Sequence, residues 1–215
     1  MLEEGLLKLG IENTDKVIPL LSKYIEEIEL FNPSYGLVKV KDRRELIVKH
    51  IFDSLAPLHI LQSLIKIPAA HIADIGSGAG LPGIPLAICM PGSEFTLIER
   101  MGRRAGFLRD VLAVLELSNV RVEEKDLEEF AQRPEACFDC IVFRAWKPLD
   151  PRIIKTLSKL LKPGGILAAY KGRLDSIKEE MAMLPKDTVS WEAVPLEVPF
   201  LEEERHMVLV RFIFK

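Results

Sequence analysis

A short apolar run that passes directly into a glycine-rich turn, His71-Ile-Ala-Asp-Ile-Gly-Ser-Gly-Ala-Gly-Leu-Pro-Gly83, constrains this chain more than any other segment. The run spells a buried strand, and the glycines spell a tight turn that opens a helix. Gly78, Gly80 and Gly83 satisfy the G-x-G-x-x-G spacing of a dinucleotide site, in which backbone amides and a helix N-terminus receive a pyrophosphate. An acid, Asp74, stands at the join. A carboxylate there repels a pyrophosphate and favours a nucleoside cofactor that is cationic on this side. S-adenosylmethionine, with a sulfonium, an amino group and no phosphate, meets that condition. The turn therefore reads as a methyl-donor site built from Asp74, Gly76, Ser77, Gly78 and Gly80, with Gly78 expected where backbone and ligand approach closely.

A second acid extends the unit. After a helix over 82–90, Glu94-Phe-Thr-Leu-Ile98 reads as a strand ending at Glu99, the place where a carboxylate catches a ribose diol. NAD and S-adenosylmethionine both carry that diol, so Glu99 supports a nucleoside site and Asp74 does the choosing. The plainer reading, a tight turn merely capped by Asp74, leaves the co-occurrence of acid, glycines and second acid unexplained.

From His71 onward, short apolar runs alternate with helical patterns, as in a parallel sheet with crossover helices. Strands are expected over 72–75, 95–99, 120–123, 138–144 and 166–171, and helices over 82–90, 103–116 and 151–161, the last ended by Lys162-Pro-Gly-Gly165. Two further strands, over 189–194 and 207–214, should close the sheet as an antiparallel pair. The layout is α/β and doubly wound, that of a class I S-adenosylmethionine-dependent methyltransferase: Rossmann-like, with a seven-stranded mixed sheet and an antiparallel last strand.

Residues 1–68 read as a helical extension packed on a methyltransferase domain over 69–215. Val17, Leu20, Leu21, Tyr24, Ile25, Ile28 and Phe31 recur at helical spacing after a cap at Thr14 or Asp15, with Pro19 near the first turn. Asn32-Pro-Ser-Tyr-Gly36 reads as a loop. A second helix begins at the capping box Asp42-Arg-Arg-Glu45 and runs through His50 towards Leu55, where Pro57 breaks or restarts it.

A chain of 215 residues, 48% apolar, can bury a substantial core. Its three cysteines are too few for a disulfide framework. Cys137-Phe-Asp-Cys140 is formally C-x-x-C, but it lacks a second pair or a nearby histidine and leads into a strand that would point the two thiols to opposite faces. No apolar segment approaches the length of a membrane span, so a soluble cytoplasmic protein is expected, working as a monomer and without a metal. The net charge of −3 argues against indiscriminate coating of nucleic acid and leaves room for a local basic patch.

Acceptor chemistry is read from what is missing. The fourth strand ends in Arg144-Ala-Trp-Lys-Pro148, not in the Asp/Asn-Pro-Pro-aromatic loop common in methylation of exocyclic amines. Neither Cys137 nor Cys140 sits in the Pro-Cys turn of a pyrimidine C5 enzyme. A lone pair that needs no deprotonation, such as guanine N7, demands only orientation, which suits a site with arginines and an aromatic. Lys39 to Arg44, Arg100 with Arg103 and Arg104, Arg144 to Lys147, and Lys171 to Arg173 would form a phosphate-gripping rim. Each taken alone reads better as a solvated charge run or a helix terminus. Trp146 either stacks on a base or covers the sheet edge. His50, Asp53 and Ser54 share one helical face, as a lid on the cofactor cleft or as a face bonded within the protein. Arg205 and His206, beside Glu202-Glu-Glu204, read as a surface turn.

Lys49-His-Ile-Phe-Asp-Ser-Leu55, Asp74-Ile-Gly-Ser-Gly-Ala-Gly-Leu-Pro-Gly-Ile-Pro-Leu86, Arg144-Ala145, Leu161-Lys-Pro-Gly-Gly165, Lys171-Gly172 and Glu204-Arg-His206 together resemble the GidB/RsmG family from about Lys8 to the end. The resemblance implies methylation of guanine N7 in 16S ribosomal RNA of the bacterial small subunit, with S-adenosylmethionine as donor. It implies donor contacts at Gly76, Leu81, Leu127, Glu128 and Arg144, with Glu99 at the ribose, and functional roles for His50, Asp53, Lys171, Arg205 and His206. One segment departs from the family pattern: where the family has Trp/Tyr-Asn followed shortly by Asn-Leu-Thr, this chain has Phe31-Asn-Pro-Ser-Tyr-Gly-Leu-Val38. Three other readings remain open at this point: a small-molecule methyltransferase, a donor-binding ribosome assembly factor without turnover, and an NAD oxidoreductase.

Overall fold

A computed structural model describes residues 1–132, 138–185 and 187–213. Seven strands form one sheet in the order β3-β2-β1-β4-β5-β7-β6, with β1 His71–Ile75, β2 Glu94–Ile98, β3 Val120–Glu123, β4 Phe138–Arg144, β5 Leu161–Lys171, β6 Val189–Pro195 and β7 His206–Phe212. The first five run parallel. β7 lies antiparallel between β5 and β6. Seven strands, their mixed sense and the antiparallel closure follow the expectation, but Lys162-Pro-Gly-Gly165 does not end a helix. The helix α9, Pro151–Ser158, stops earlier and that segment begins β5.

Alternation along the strands divides the core into two layers. Ile72, Phe95, Leu97, Val142, Ala168 and Leu209 face one side, where they meet α6 (Gly83–Cys89), α7 (Gly102–Leu115) and the N-terminal helices. Ala73, Ile75, Ile141, Phe143, Leu167 and Val208 face the other, where α8 (Leu127–Phe130), α9 and α10 (Leu174–Ala182) pack. α8 and α10 have no counterpart in the sequence-based expectation, nor does α1, Leu2–Lys8.

The helix α2, Thr14–Tyr35, has Asn13, and not Thr14 or Asp15, at its N-cap position, and runs through the expected loop to a left-handed cap at Gly36. It carries Pro19 and Pro33 within it. An interior proline costs about 3 kcal/mol, while burying Val17, Leu21, Tyr24, Ile25 and Ile28 returns about 1.5–3 kcal/mol each. Burial therefore outweighs local preference here. Asn32 then folds back, its Oδ1 accepting from the Val38 amide at 2.9 Å.

Asp42 caps the next helix as expected, accepting from the Glu45 amide at 2.8 Å. After α3, Arg43–Leu46, the chain widens into a π-helical turn over Ile47–Phe52 before α4, Asp53–Leu55, and α5, Leu58–Leu64. Among the described residues, no helix is long and apolar enough to cross a membrane. Cys137 lies outside the described residues. Cys89 and Cys140 are free thiols that burial pushes up to about 12.

Candidate active site

The C-terminal ends of β1, β2, β4 and β5 lie at one edge of the sheet, and β7, being antiparallel, brings its N-terminal end to the same edge. Arg144 is in register with Tyr170, and Lys171 with His206. Strand order reverses between β1 and β4, and the crevice at such a switch point is where open α/β sheets bind ligands. Two cavities occupy it, and they share Ala145, Trp146 and Lys147.

The first, of about 310 Å³, is walled by Ile75, Gly76, Ile98, Glu99, Leu127 and Glu128, among others. Glu99 is buried, and its two carboxylate oxygens accept from the amides of Gly78 and Met101, each at 2.9 Å. In a dinucleotide site the Gly78 amide would face a phosphate; here a carboxylate takes it. Apolar walls of Ile75, Ile98 and Leu127, with Glu99 already on the Gly78 amide, suit a nucleoside; Asp126 and Glu128 line the cavity together with Arg100, Arg104, Lys125 and Lys147. Leu127 and Glu128 reach the wall because Asp126 caps α8, accepting from the Glu129 amide at 2.7 Å. Asp126-Leu-Glu-Glu129 is itself a capping-box pattern, so a signal for this helix was present in the sequence.

Other turn residues serve the turn. Asp74 is wholly buried beneath it and lines neither cavity. Its Oδ2 accepts from the Gly83 amide at 2.9 Å, while Oδ1 has no partner. Burial raises this carboxyl to about 7, against the opposing pull of the Gly83 amide and the Arg144 charge. The acid taken from the sequence as a donor contact thus lies under the turn and supports it. Ser77 donates to the Asp74 carbonyl, a Cβ on Gly80 would strike Ile84 and Leu108, and Leu81 is buried. Within the turn, a Cβ on Gly76 would come within 2.3 Å of Trp146, whereas one on Gly78 would meet only the Gly76 carbonyl at 3.9 Å, which leaves that side of the turn open to a ligand. Trp146 packs edge-on against Phe143 and so both covers the sheet end and faces the cavities.

The second cavity, of about 560 Å³, is lined by His50, Asp53, Arg144, Lys171, Arg205 and His206 together with Lys39, Lys49 and Lys147. The five residues given a functional role by the resemblance therefore meet here with Arg144, which was expected at the donor but does not line the smaller cavity. Asp53, 5% exposed, joins two guanidinium groups: its Oδ2 accepts from Arg144 at 2.9 Å and its Oδ1 from Arg205 at 3.1 Å. Arg144 also donates to the Lys49 carbonyl at 2.9 Å and lies 2.8 Å from His50 Nδ1. Burial, and then the Arg144 charge, lowers the His50 imidazole to about 4. Lys171 is held by both oxygens of Glu180 at 2.7 and 2.9 Å. Arg205 and His206 form no surface turn: His206 is 5% exposed, and its Nδ1 lies 2.8 Å from the Gly172 carbonyl. Ser54 points away into the core, its carbonyl accepting from Tyr170 at 2.8 Å.

The basic rim is smaller than expected. Arg103 and Arg104 donate to the carbonyls of Ser34 and Gly36 at the end of α2, and Arg43 pairs with Glu29 at 2.6 Å. Lys39, Lys49 and Lys147 line the larger cavity, and Arg100, Arg104, Lys125 and Lys147 the smaller.

The chain matches the family model GidB, rRNA small subunit methyltransferase G, over residues 17–208. Ribosomal RNA small subunit methyltransferase G of Treponema denticola is 36% identical, with 98% of this chain and 93% of that protein covered. The protein of the same description from Xanthomonas axonopodis pv. citri is 44% identical, with 90% and 85% covered. Among solved structures, a putative O-methyltransferase from Klebsiella pneumoniae superposes with a TM-score of 0.61 at 16% identity over 91% of this chain and 90% of its own. The tRNA (m1A58) methyltransferase TrmI from Aquifex aeolicus gives 0.57 at 15% identity over 74% and 70%. These two likenesses concern the fold.

Proposed function

The chain belongs to the GidB family, rRNA small subunit methyltransferase G, and on that premise we propose that it transfers a methyl group from S-adenosylmethionine to N7 of a guanine in 16S ribosomal RNA. The observation that carries the reading is the pair of cavities meeting at Ala145 to Lys147, one of nucleoside size with Glu99 and apolar walls, the other open and basic. Bound in the first, S-adenosylmethionine supplies an electrophilic methyl on a sulfonium.

Glu99 and the walls of Leu127 and Glu128 hold the nucleoside end, and Gly76 admits the donor beside Trp146. Lys39 and Lys147 take RNA phosphates, which fixes the position of the chain on its substrate and makes binding fall with salt. The base enters between His50, Arg144 and Trp146. N7 attacks with a lone pair that needs no proton removed, so the site has to align and not to deprotonate. A His50 whose Nδ1 is engaged by Arg144 and whose basicity is lowered by burial, and a guanidinium already committed to Asp53, suit that task, since neither is equipped to remove a proton.

Labelled methyl transfer to small subunits lacking the modification, and to deproteinised 16S RNA, with the modified base mapped, tests the reading. A single N7-methylguanine is the expected product; donor binding with no label on either RNA form overturns it.

A further inference from the structure

The two histidines of the larger cavity differ in a way that their chemistry makes definite. Arg144 has only donors to offer, so His50 Nδ1, 2.8 Å from it, must accept. The neutral ring then carries its proton on Nε2. That atom has no hydrogen bond to any described residue and is not among the buried atoms left unpartnered, so it forms the open edge of a ring that lines the cavity. His206 is turned the other way. Its Nδ1–H donates to the Gly172 carbonyl, with Nε2 left 3.7 Å from Glu204.

Other donors in this cavity are spent or mobile. Lys171 is held by Glu180, Lys49 by Glu45, and Arg205 by Asp53 through Nε and by the Glu204 carbonyl through Nη1, whereas Lys39 and Lys147 end flexible stems. The indole Nε1 of Trp146 lies on the side facing Gly76. His50 is different, because Arg144 fixes its tautomer, and Arg144 is in turn fixed by Asp53 and the Lys49 carbonyl.

We propose that His50, through its Nε2–H, reads O6 of the acceptor base and so selects guanine over a purine with an amine at that position. The inference rests on the guanine-N7 reading above. Guanine presents N7 and O6 side by side as acceptors, so a base with N7 aimed at the methyl group carries O6 along the same edge. An amine in place of O6 sets N–H against N–H and leaves the imidazole donor unpaired, which disfavours it on the order of 10- to 100-fold. Arg144 is the positioning residue for that donor.

The test uses small subunits reconstituted on 16S RNA with either guanine or 2,6-diaminopurine at the mapped base. The analogue keeps N7 and the 2-amino group, replaces O6 by an amine and loses the proton on N1, so the contribution of His50 is read from the change in the ratio between variants. Kcat/KM is measured for the unaltered protein, His50→Asn and His50→Gln, and S-adenosylmethionine affinity is measured separately by calorimetry. Asparagine keeps an acceptor for Arg144 but has no group at the Nε2 position, whereas glutamine places an amide N–H there. The unaltered protein should prefer guanine by about 10- to 100-fold, His50→Asn should bring the ratio towards one, and His50→Gln should restore part of it, with donor affinity constant within about threefold. An undiminished ratio in His50→Asn overturns the inference alone, as does a loss of donor affinity in that variant. No transfer by the unaltered protein to either RNA overturns the proposed function, and this inference with it.

Discussion

The indole of Trp146 lies directly over the α-carbon of Gly76: a methyl group on the glycine would come within 2.3 Å of the ring. The contact joins the end of β1 to the end of β4 at the boundary between the two cavities. At φ +70°, Gly76 also occupies a conformation that an L side chain adopts only at a cost of about 1 kcal/mol.

Gly76→Ala should therefore do two separable things. Backbone strain lowers stability by about 1–2 kcal/mol, and displacement of the indole weakens S-adenosylmethionine binding by about tenfold or more. Adding Trp146→Ala removes the clash but not the strain. Calorimetric donor affinities for the two single variants and the double variant should show partial rescue in the double, with the stability loss unrepaired. Equal affinity in Gly76→Ala and the unaltered protein would show that the ring yields freely.

α8 offers a milder test of the donor cavity. Four residues make no stable helix alone, so the Asp126 cap is a large share of what holds Leu127 and Glu128 against the cavity. Asp126→Ala should cost about 1 kcal/mol of stability and weaken donor binding several-fold, with the ratio of bound to free proton-exchange protection lost first in this segment. Asp126→Asn, which keeps an acceptor, should stay near the starting affinity.

Asp53 is the keystone of the larger cavity. Removing one partner of a buried ion pair costs about 3–5 kcal/mol because the charges left behind lose their compensation, and here two guanidinium groups are left. Asp53→Ala should lower the urea midpoint and abolish methyl transfer. Arg205→Ala, which leaves the Arg144 contact in place, should do less on both counts, since Arg205 is the more exposed of the two (25% against 14%). The reverse order would transfer the keystone role to Arg205.

The sheet was legible because its strands are short apolar runs bounded by turn signals, and β3 and β4 have the expected limits. Where local signals misled, tertiary burial decided. Pro33 and Gly36 read as a loop, yet the apolar face of α2 carries the helix to Tyr35. Lys162-Pro-Gly-Gly165 reads as a helix end, yet it starts β5 opposite Phe138, where the register between β4 and β5 shifts. The π-helical turn at Ile47–Phe52 has no local sequence signature at all. Its consequence is visible only in the folded chain, where the Lys49 carbonyl, His50 and Asp53 all meet Arg144. Similarly, Asp74 announces a site by its position beside the glycines, but only the packing of α6 on β1 shows that its carboxylate lies underneath.

Two buried groups titrate with opposite effects on stability, and they conceal one another. The Asp74 carboxyl is raised from its ordinary range near 3.8 to about 7, chiefly by burial, so between pH 4 and 7 the folded chain keeps a proton that the unfolded chain has released. Its contribution falls as pH rises through that window. The His50 imidazole is lowered from 6.5 to about 4, also chiefly by burial, so between pH 6.5 and 4 the unfolded chain binds a proton that the folded chain refuses. Its contribution falls as pH drops. Each shift corresponds to about 3–4 kcal/mol across its window, and over most of the shared range the slopes offset. Glu45 and Asp139, both lowered, add a loss of stability only in more acidic solution, as pH falls through and below the ordinary carboxylate range. The unaltered protein should therefore show a nearly level stability from pH 4.5 to 6 and a decline towards 7. Asp74→Asn removes the carboxyl while retaining an acceptor for the Gly83 amide, and its stability should climb with pH over 4–6.5. His50→Asn should do the opposite, its stability falling from pH 4 to 7, and the double variant should again be level. Urea unfolding at half-unit pH steps measures all four curves, and parallel curves for the two single variants would show that neither group keeps its shifted titration in the folded chain.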